Sequence, residues 1–341
     1  MRRRVRNVPQ SMTVVPGVFS RRLVALLLAA SVVAMTALSG CADGDGGASG
    51  DGTSGSSPDA GSGSTTAVAG RATVEIEGPA GMLGVRVFYP AAVIDGEAAA
   101  DEGGPAAAVD AEDGPYPVIA FGHGYLARVS FYAATLDALA AEGFIVVAPT
   151  SQTGLLPDHS DFADELRAAL DWAVAQGDEP GSLLFEAVDG GRLGVSGHSM
   201  GGGCALLAAA RDRRIVAVST LAAADTRPSS RDLLRRIGAP VQFIAGSEDA
   251  IAMVQAFQRP LYLATPTPRQ LVVIEGGSHC GFLDRPPAVC DRGSLPSARQ
   301  IALTRRLLSD WFGLYLKDDE SLRAAVWDPP PDPLLEIVSD P

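Results

Sequence analysis

The twelve residues Arg192-Leu193-Gly194-Val195-Ser196-Gly197-His198-Ser199-Met200-Gly201-Gly202-Gly203 leave a chain few ways to fold. A short apolar run ends at Gly197, and Ala205-Leu206-Leu207-Ala208-Ala209-Ala210 reads as a helix, so a strand must meet a helix within one tight turn. Gly197-His198-Ser199-Met200-Gly201 between them has the spacing G-x-S-x-G, which lifts a serine hydroxyl clear of the carboxyl end of a strand. Such a bend strains the backbone at Ser199, and a Cβ at 197 or 201 would strike the neighbouring strand or helix. Met200 comes next, so its N–H sits at the helix N-terminus, aimed at a developing oxyanion. In a chain with 38 glycines the spacing also fits an ordinary glycine-rich turn. The residues downstream of the turn decide between the two readings.

A carboxylate and a histidine come later in the chain, in the order that a nucleophilic serine needs. The apolar strand Val241 to Ala245 ends in Gly246-Ser247-Glu248-Asp249-Ala250-Ile251-Ala252, where either Glu248 or Asp249 fits as the acid. Asp249 is preferred, because Asp249-Ala250-Ile251 resembles the pattern of a known hydrolase family. Gln270 to Ile274 is the last strand before Gly276-Gly277-Ser278-His279-Cys280-Gly281-Phe282. Of the four histidines, only His279 combines the right order with a loop at a strand end. It would take the Ser199 proton and return it to a leaving alcohol, with Asp249 holding its tautomer.

The rest of the chain reads as an α/β fold: a doubly wound, mostly parallel sheet with helices on both faces and no large lid. Ala72 to Ile76 and Leu83 to Phe88 alternate as an antiparallel pair, and residues 91–116 read as an acidic, solvated loop. Pro117 to Phe121 is a buried strand entering Gly122-His123-Gly124-Tyr125-Leu126, where a second oxyanion N–H belongs. The candidate donor is the backbone of Tyr125, with His123 shaping the loop. Helices are expected at Phe131 to Glu142, at Asp161 to Gln176 with Ser160 or Asp161 as cap, at a short segment from Ser229, and at Gln300 to Leu316. His159 reads as a loop residue. Strands are expected at Phe144 to Ala148 and Ile215 to Leu221, and residues 328–341 as a proline-rich tail after a domain spanning 71–327.

The amino-terminal residues stand apart. Arg21-Arg22 precede an apolar run from Leu23 to Leu38, too short for a full bilayer span, that closes on Leu38-Ser39-Gly40-Cys41. Residues 1–40 read as a signal peptide. Its ending resembles a bacterial lipobox, which implies a lipid on Cys41 and an exported protein held to a membrane only by that anchor. Residues 41–70 continue as a Gly/Ser-rich linker that cannot bury a core. The net charge is −13, and the six arginines of the leader are unopposed by acid, so the mature chain is more acidic still. That excludes nucleic acid as a partner. Cys280 and Cys290 would pair as a disulfide in an oxidising compartment, pinning the histidine loop, and Cys204 reads as a buried hydrophobe. None of the four cysteines has metal-site spacing, so neither metal nor cofactor is expected, and the chain is expected to be a monomer.

Taken together, Gly197-His198-Ser199-Met200-Gly201-Gly202-Gly203, Gly124-Tyr125-Leu126-Ala127, Asp249-Ala250-Ile251-Ala252 and Ser278-His279 resemble the bacterial cutinase-type polyester hydrolases. They also resemble the wider dienelactone-hydrolase-like and chlorophyllase-like α/β-hydrolases. The resemblance implies the α/β-hydrolase fold and a serine carboxylic-ester hydrolase with Ser199, Asp249 and His279 as triad. It makes Met200 and Tyr125 the oxyanion hole, with small or medium acyl esters or polyesters as substrates. One departure stands out: where those hydrolases usually carry a tryptophan, this chain reads Leu221-Ala222-Ala223-Ala224-Asp225. An amidase or peptidase on the same fold, or a binding module on a degenerate scaffold, are the alternatives.

Overall fold

The computed structural model describes residues 68–92 and 108–341. The leader, Cys41, the linker as far as residue 67 and the acidic stretch 93–107 lie outside the described residues.

Period-two alternation of apolar residues builds the sheet. β1 (Val68–Gly78) and β2 (Gly81–Ala91) form the expected antiparallel hairpin, with Gly78 opposite Gly81. They are followed by β3 (Tyr116–Gly122), β4 (Ile145–Pro149), β5 (Val188–His198), β6 (Ile215–Leu221), β7 (Val241–Gly246), β8 (Arg269–Ile274) and β9 (Leu335–Asp340). The order across the sheet is β1-β2-β4-β3-β5-β6-β7-β8-β9, parallel from β4 to β8 and antiparallel at both edges. This is the mostly parallel sheet of an α/β-hydrolase fold.

In chain order the helices are α1 (Ala133–Ala141), α2 (His159–Asp178), α3 (Met200–Arg211), α4 (Arg259–Ala264), α5 (Ser297–Leu316) and α6 (Arg323–Trp327). Val118 and Ala120 of β3 face a core shared with Phe162, Leu166, Leu170 of α2 and Leu206, Leu207 of α3. Ile119 and Phe121 face the opposite core, with Leu136 of α1 and Leu308, Trp311, Phe312 of α5. Two dry layers thus hold the parallel strands, as burial on both faces requires.

Several elements depart from expectation. The segment expected as one helix from Phe131 begins as a 3₁₀ turn, Val129–Tyr132, and becomes α-helical only at Ala133. The cap of α2 is Asp158, not Ser160 or Asp161: its Oδ1 accepts from Ser160 N at 2.8 Å and Asp161 N at 3.0 Å. His159 is therefore the first helical residue and not a loop residue, and its Nδ1 accepts from Arg227 N at 2.9 Å. The segment after Ser229 is only a 3₁₀ turn, Arg231–Arg236. A π-turn, Val254–Gln258, leads into α4, which periodicity over so few residues does not show.

The largest correction concerns residues 328–341. They are not a tail: Leu335–Asp340 pairs antiparallel with β8, Leu335 opposite Ile274 and Asp340 opposite Arg269. The three prolines at 329–331 carry the chain to the edge, and a short alternating run comes after them, with Leu335 and Ile337 in one core and Val338 against the other. Arg269 Nε holds the end of β9 through Asp340 Oδ2 at 2.8 Å. A line of buried amides also crosses these strands. Ser219 Oγ donates to Gln242 Oε1 and Gln242 Nε2 to Gln270 Oε1, both at 2.8 Å, and Gln270 Nε2 reaches Ser339 Oγ at 3.1 Å.

Candidate active site

β5 delivers Ser199. The strand ends at His198, α3 begins at Met200, and Ser199 joins them at φ 55°, ψ −118°, a conformation that L-residues rarely adopt. Three backbone bonds hold it there. Ser199 N donates to Leu221 O at 2.9 Å, and Ser199 O accepts from Gly203 N at 3.1 Å and Ala224 N at 2.9 Å. The flanking glycines are obligatory. A Cβ on Gly197 would stand 2.5 Å from Gly201 O, and one on Gly201 would stand 2.1 Å from Gly122 O. Met200, as the first residue of α3, has an N–H that the helix cannot use.

The end of β3 lies against this turn. A Cβ on Gly124 would be 3.0 Å from His198 Nδ1 and 3.5 Å from Ser199 Cβ, so the Gly122–Ala127 segment passes directly beside the serine. Leu126 takes φ 54° to turn the chain, which leaves Tyr125 42% exposed with its hydroxyl donating to Leu155 O at 2.9 Å. Both ring nitrogens of buried His123 face carbonyls, Gly124 O at 2.9 Å and Ser151 O at 2.7 Å. Those bonds favour the imidazolium, but burial outweighs them and holds its pKa below the ordinary histidine value.

β7 and β8 deliver the other two residues. Asp249 and His279 are 4% exposed each, and His279 Nδ1 lies 2.8 Å from Asp249 Oδ2. Asp249 Oδ1 accepts from Ile251 N at 2.8 Å and Ala252 N at 2.6 Å, so its carboxylate is fully engaged. Glu248 points elsewhere, accepting from Ser294 N at 2.7 Å and Ser294 Oγ at 2.8 Å. Gln300 of α5 braces the histidine loop, with Oε1 accepting from Ser278 N at 3.0 Å and Nε2 donating to Ser278 O at 2.8 Å.

Among the described residues no hydrogen bond joins Ser199 Oγ to the His279 ring. His198 stands beside that ring instead: its ring centroid is 4.6 Å from that of His279, and its Nε2–H donates to His279 O at 3.0 Å. Because that carbonyl only accepts, the other nitrogen, Nδ1, is the acceptor for the Tyr132 hydroxyl at 2.8 Å. Tyr132 in turn accepts from Gly124 N at 3.1 Å. One neutral histidine thus ties the β3 loop, the serine turn and the histidine loop together. Sequence reading assigned His198 no part beyond standing beside Ser199; a polar residue between an apolar strand and an apolar helix was the available signal.

Burial and the neighbouring His279 hold the His198 pKa well below the ordinary value. A histidine whose folded pKa is depressed stabilises the fold above about pH 6.5 and loses that contribution as pH falls, because the unfolded chain takes up the proton first. Below pH 6.5, unfolding free energy should therefore drop by about 1.4 kcal/mol per pH unit for this residue. Denaturant titrations at pH 7.5 and 5.5 check this, and His198→Gln should flatten the slope by that amount.

The structure joins Cys280 to Cys290 in a disulfide with Cα atoms 6.1 Å apart, and Cys204 is free and buried. Asp291, which sequence reading did not single out, lies beside that bridge. Its Oδ2 accepts from Ala250 N at 3.1 Å and His279 N at 3.0 Å, and its Oδ1 from Cys280 N at 2.9 Å. Cys280, Cys290 and Asp291 are close enough to suggest a metal cluster. The two sulfurs are bonded to each other and the carboxylate faces three N–H donors, so the trio offers a cation no thiolate.

At the departure noted in the sequence, Ala222 and Ala223 are buried against the start of α3. A Cβ on Gly202 would stand 3.1 Å from that of Ala223, and one on Gly203 would stand 2.1 Å from Ala224 O. Residues 222–224 contribute only methyl groups and backbone there, and no ring.

Comparison with known proteins agrees with the fold. The family model described as PETase, PET hydrolase-like, matches residues 51–290. Cutinase est2 of Thermobifida alba is 33% identical over 171 residues, 49% of this chain and 54% of the relative. Bis(hydroxyethyl) terephthalate hydrolase of Streptomyces coelicolor is 29% identical over 181 residues, 49% and 51% of the two chains. Lipase 1 of a Moraxella species is 34% identical over 142 residues, 41% of each. The chain spans about half the length of the curated relatives it matches. With the family model covering well over half of the sequence, this chain belongs to the PET hydrolase-like family.

Proposed function

We propose that the protein is a serine carboxylic-ester hydrolase acting through Ser199, His279 and Asp249. The observation that carries the reading is the 2.8 Å contact between His279 Nδ1 and Asp249 Oδ2, both buried. It fixes the tautomer in which Nε2 is the basic nitrogen. Ser199 Oγ attacks the acyl carbon while His279 Nε2 takes its proton. The oxyanion collects the N–H groups of Met200 and Tyr125, and collapse expels the alcohol, which leaves with the proton from His279. Water then repeats the sequence on the acyl-enzyme and releases the acid. The Ser199–His279 hydrogen bond forms as substrate enters, since catalytic hydrogen bonds are often completed only in the substrate complex.

The relatives' names, cutinase and bis(hydroxyethyl) terephthalate hydrolase, point to polyesters and their fragments. Alanines stand at 222–224, where the resembled polyester hydrolases usually carry a tryptophan, and this favours small or medium aliphatic acyl groups within that class. No helix of the described residues is long and apolar enough to cross a membrane. The leader and Cys41, outside the described residues, support export and a lipid tether.

One experiment tests these points together. A fluorophosphonate probe applied to expressing cells should label a band in the membrane fraction, at Ser199. The purified enzyme should cleave p-nitrophenyl butyrate far faster than the matched anilide. Equal or faster cleavage of the amide would make it an amidase, and failure to label would leave only a binding module.

A further inference from the structure

We propose that Asp291 is a positioning residue that sets the spacing between the loops carrying Asp249 and His279. The inference rests on the reading of those two residues as acid and base. Its basis is the three N–H groups that the Asp291 carboxylate accepts. One belongs to Ala250, immediately after Asp249, and two belong to His279 and Cys280. The two loops leave adjacent parallel strands, β7 and β8. At this level only one side-chain bond, between His279 and Asp249, joins these two residues directly. The loop backbones are bonded directly where they leave the strands, Ser247 N to Ile274 O at 2.9 Å and Glu248 N to Gly277 O at 2.8 Å. Asp291 carries that connection outward to Ala250, His279 and Cys280 by holding both backbones to one anion.

Its neighbours show how the residue comes to be there. The chain leaves the histidine at Cys280, runs out through Pro286 and Pro287, and is returned by the disulfide at Cys290. Asp291 is the next residue, so closing the bridge brings its carboxylate back beneath His279. The carboxylate makes charge-assisted bonds, which are shorter and stronger than neutral ones. Oδ2 bridges the loops, taking Ala250 N and His279 N, and Oδ1 takes Cys280 N of the histidine loop. A neutral amide could supply only one of these oxygens. The bonds of Asp249 itself, to Ile251 N and Ala252 N, lie within its own turn and do not reach the histidine loop.

A displacement of about 1 Å in a catalytic constellation costs on the order of 10²-fold in rate. Asp291→Ala should therefore lower kcat for p-nitrophenyl butyrate by about 10- to 100-fold with KM within about twofold, because no atom of Asp291 needs to meet the substrate. Asp291→Asn, which keeps one oxygen, should recover part of the loss. The far-downfield proton resonance of the His279 Nδ1–H bonded to Asp249 should broaden or vanish in the alanine variant and return in the asparagine one. Rates are to be divided by the concentration of sites titrated with fluorophosphonate.

Wild-type kcat per titrated site in Asp291→Ala, or an unchanged imidazole resonance, would overturn the proposal and leave Asp291 as a brace for folding alone. Should the wild-type protein neither turn over esters nor label, the esterase reading fails, while the resonance still decides whether Asp291 orders the Asp249–His279 pair.

Discussion

Ser199→Ala is expected to lower kcat/KM for p-nitrophenyl butyrate by about 10⁴-fold or more, with unfolding free energy changed by less than about 0.5 kcal/mol. The substitution removes only Oγ. The backbone bonds that fix the turn, from Ser199 N to Leu221 O and from Gly203 N and Ala224 N to Ser199 O, are untouched. Without Oγ there is no acyl-enzyme, and what activity remains must come from water attacking beside the oxyanion donors. Full-length kinetics with a circular-dichroism melt check both halves of the statement. A variant that kept the wild-type rate would remove Ser199 from the reaction and with it the proposed mechanism.

Gly201→Ala should strongly destabilise the fold. The new carbon would sit 2.1 Å from Gly122 O, 2.2 Å from Gly122 C and 2.6 Å from His123 O, all of them backbone. A flexible side chain could swing aside, but here β3 and α3 would have to separate. Overpacking a core usually costs about 1–3 kcal/mol, and three backbone atoms within 2.6 Å place this case at or above about 3 kcal/mol. Separation would also carry Gly124 and Tyr125 away from Ser199, so activity should fall further than stability alone predicts. A chemical melt and the kcat of the remaining folded protein measure the two effects. Wild-type stability would mean that β3 and α3 do not approach as closely as described.

Much of this arrangement is legible before any coordinates. The apolar runs at Pro117 to Phe121 and Val241 to Ala245, and the glycine pattern around Ser199, depend on local sterics and burial, which are written in neighbouring residues. What escapes depends on partners far away in the chain. Asp158 wins the cap of α2 over Ser160 and Asp161 by backbone geometry that the three residue types share. Leu335–Asp340 is too short and too close to prolines to declare itself, and becomes a strand because β8 offers an open edge. Tyr132, His198 and Asp291 act through hydrogen bonds that reach across 66, 81 and 41 positions of sequence, and no periodicity reports such bonds. Asp249 and Glu248 are adjacent and chemically alike, and only the direction of their side chains separates them, one toward His279 and the other toward Ser294.

The buried ladder from Ser219 through Gln242 and Gln270 to Ser339 has a consequence for how the edge of the sheet finds its alignment. Apolar residues accept many neighbours, so grease alone would let the final strand dock one or two places out of step at little penalty. A carboxamide shut away from water is intolerant: displaced by a single residue, β9 would turn Ser339 to the wrong face and leave one N–H of the Gln270 amide without its acceptor. The ladder therefore proofreads the alignment of the sheet, rejecting near misses that hydrophobic packing would admit.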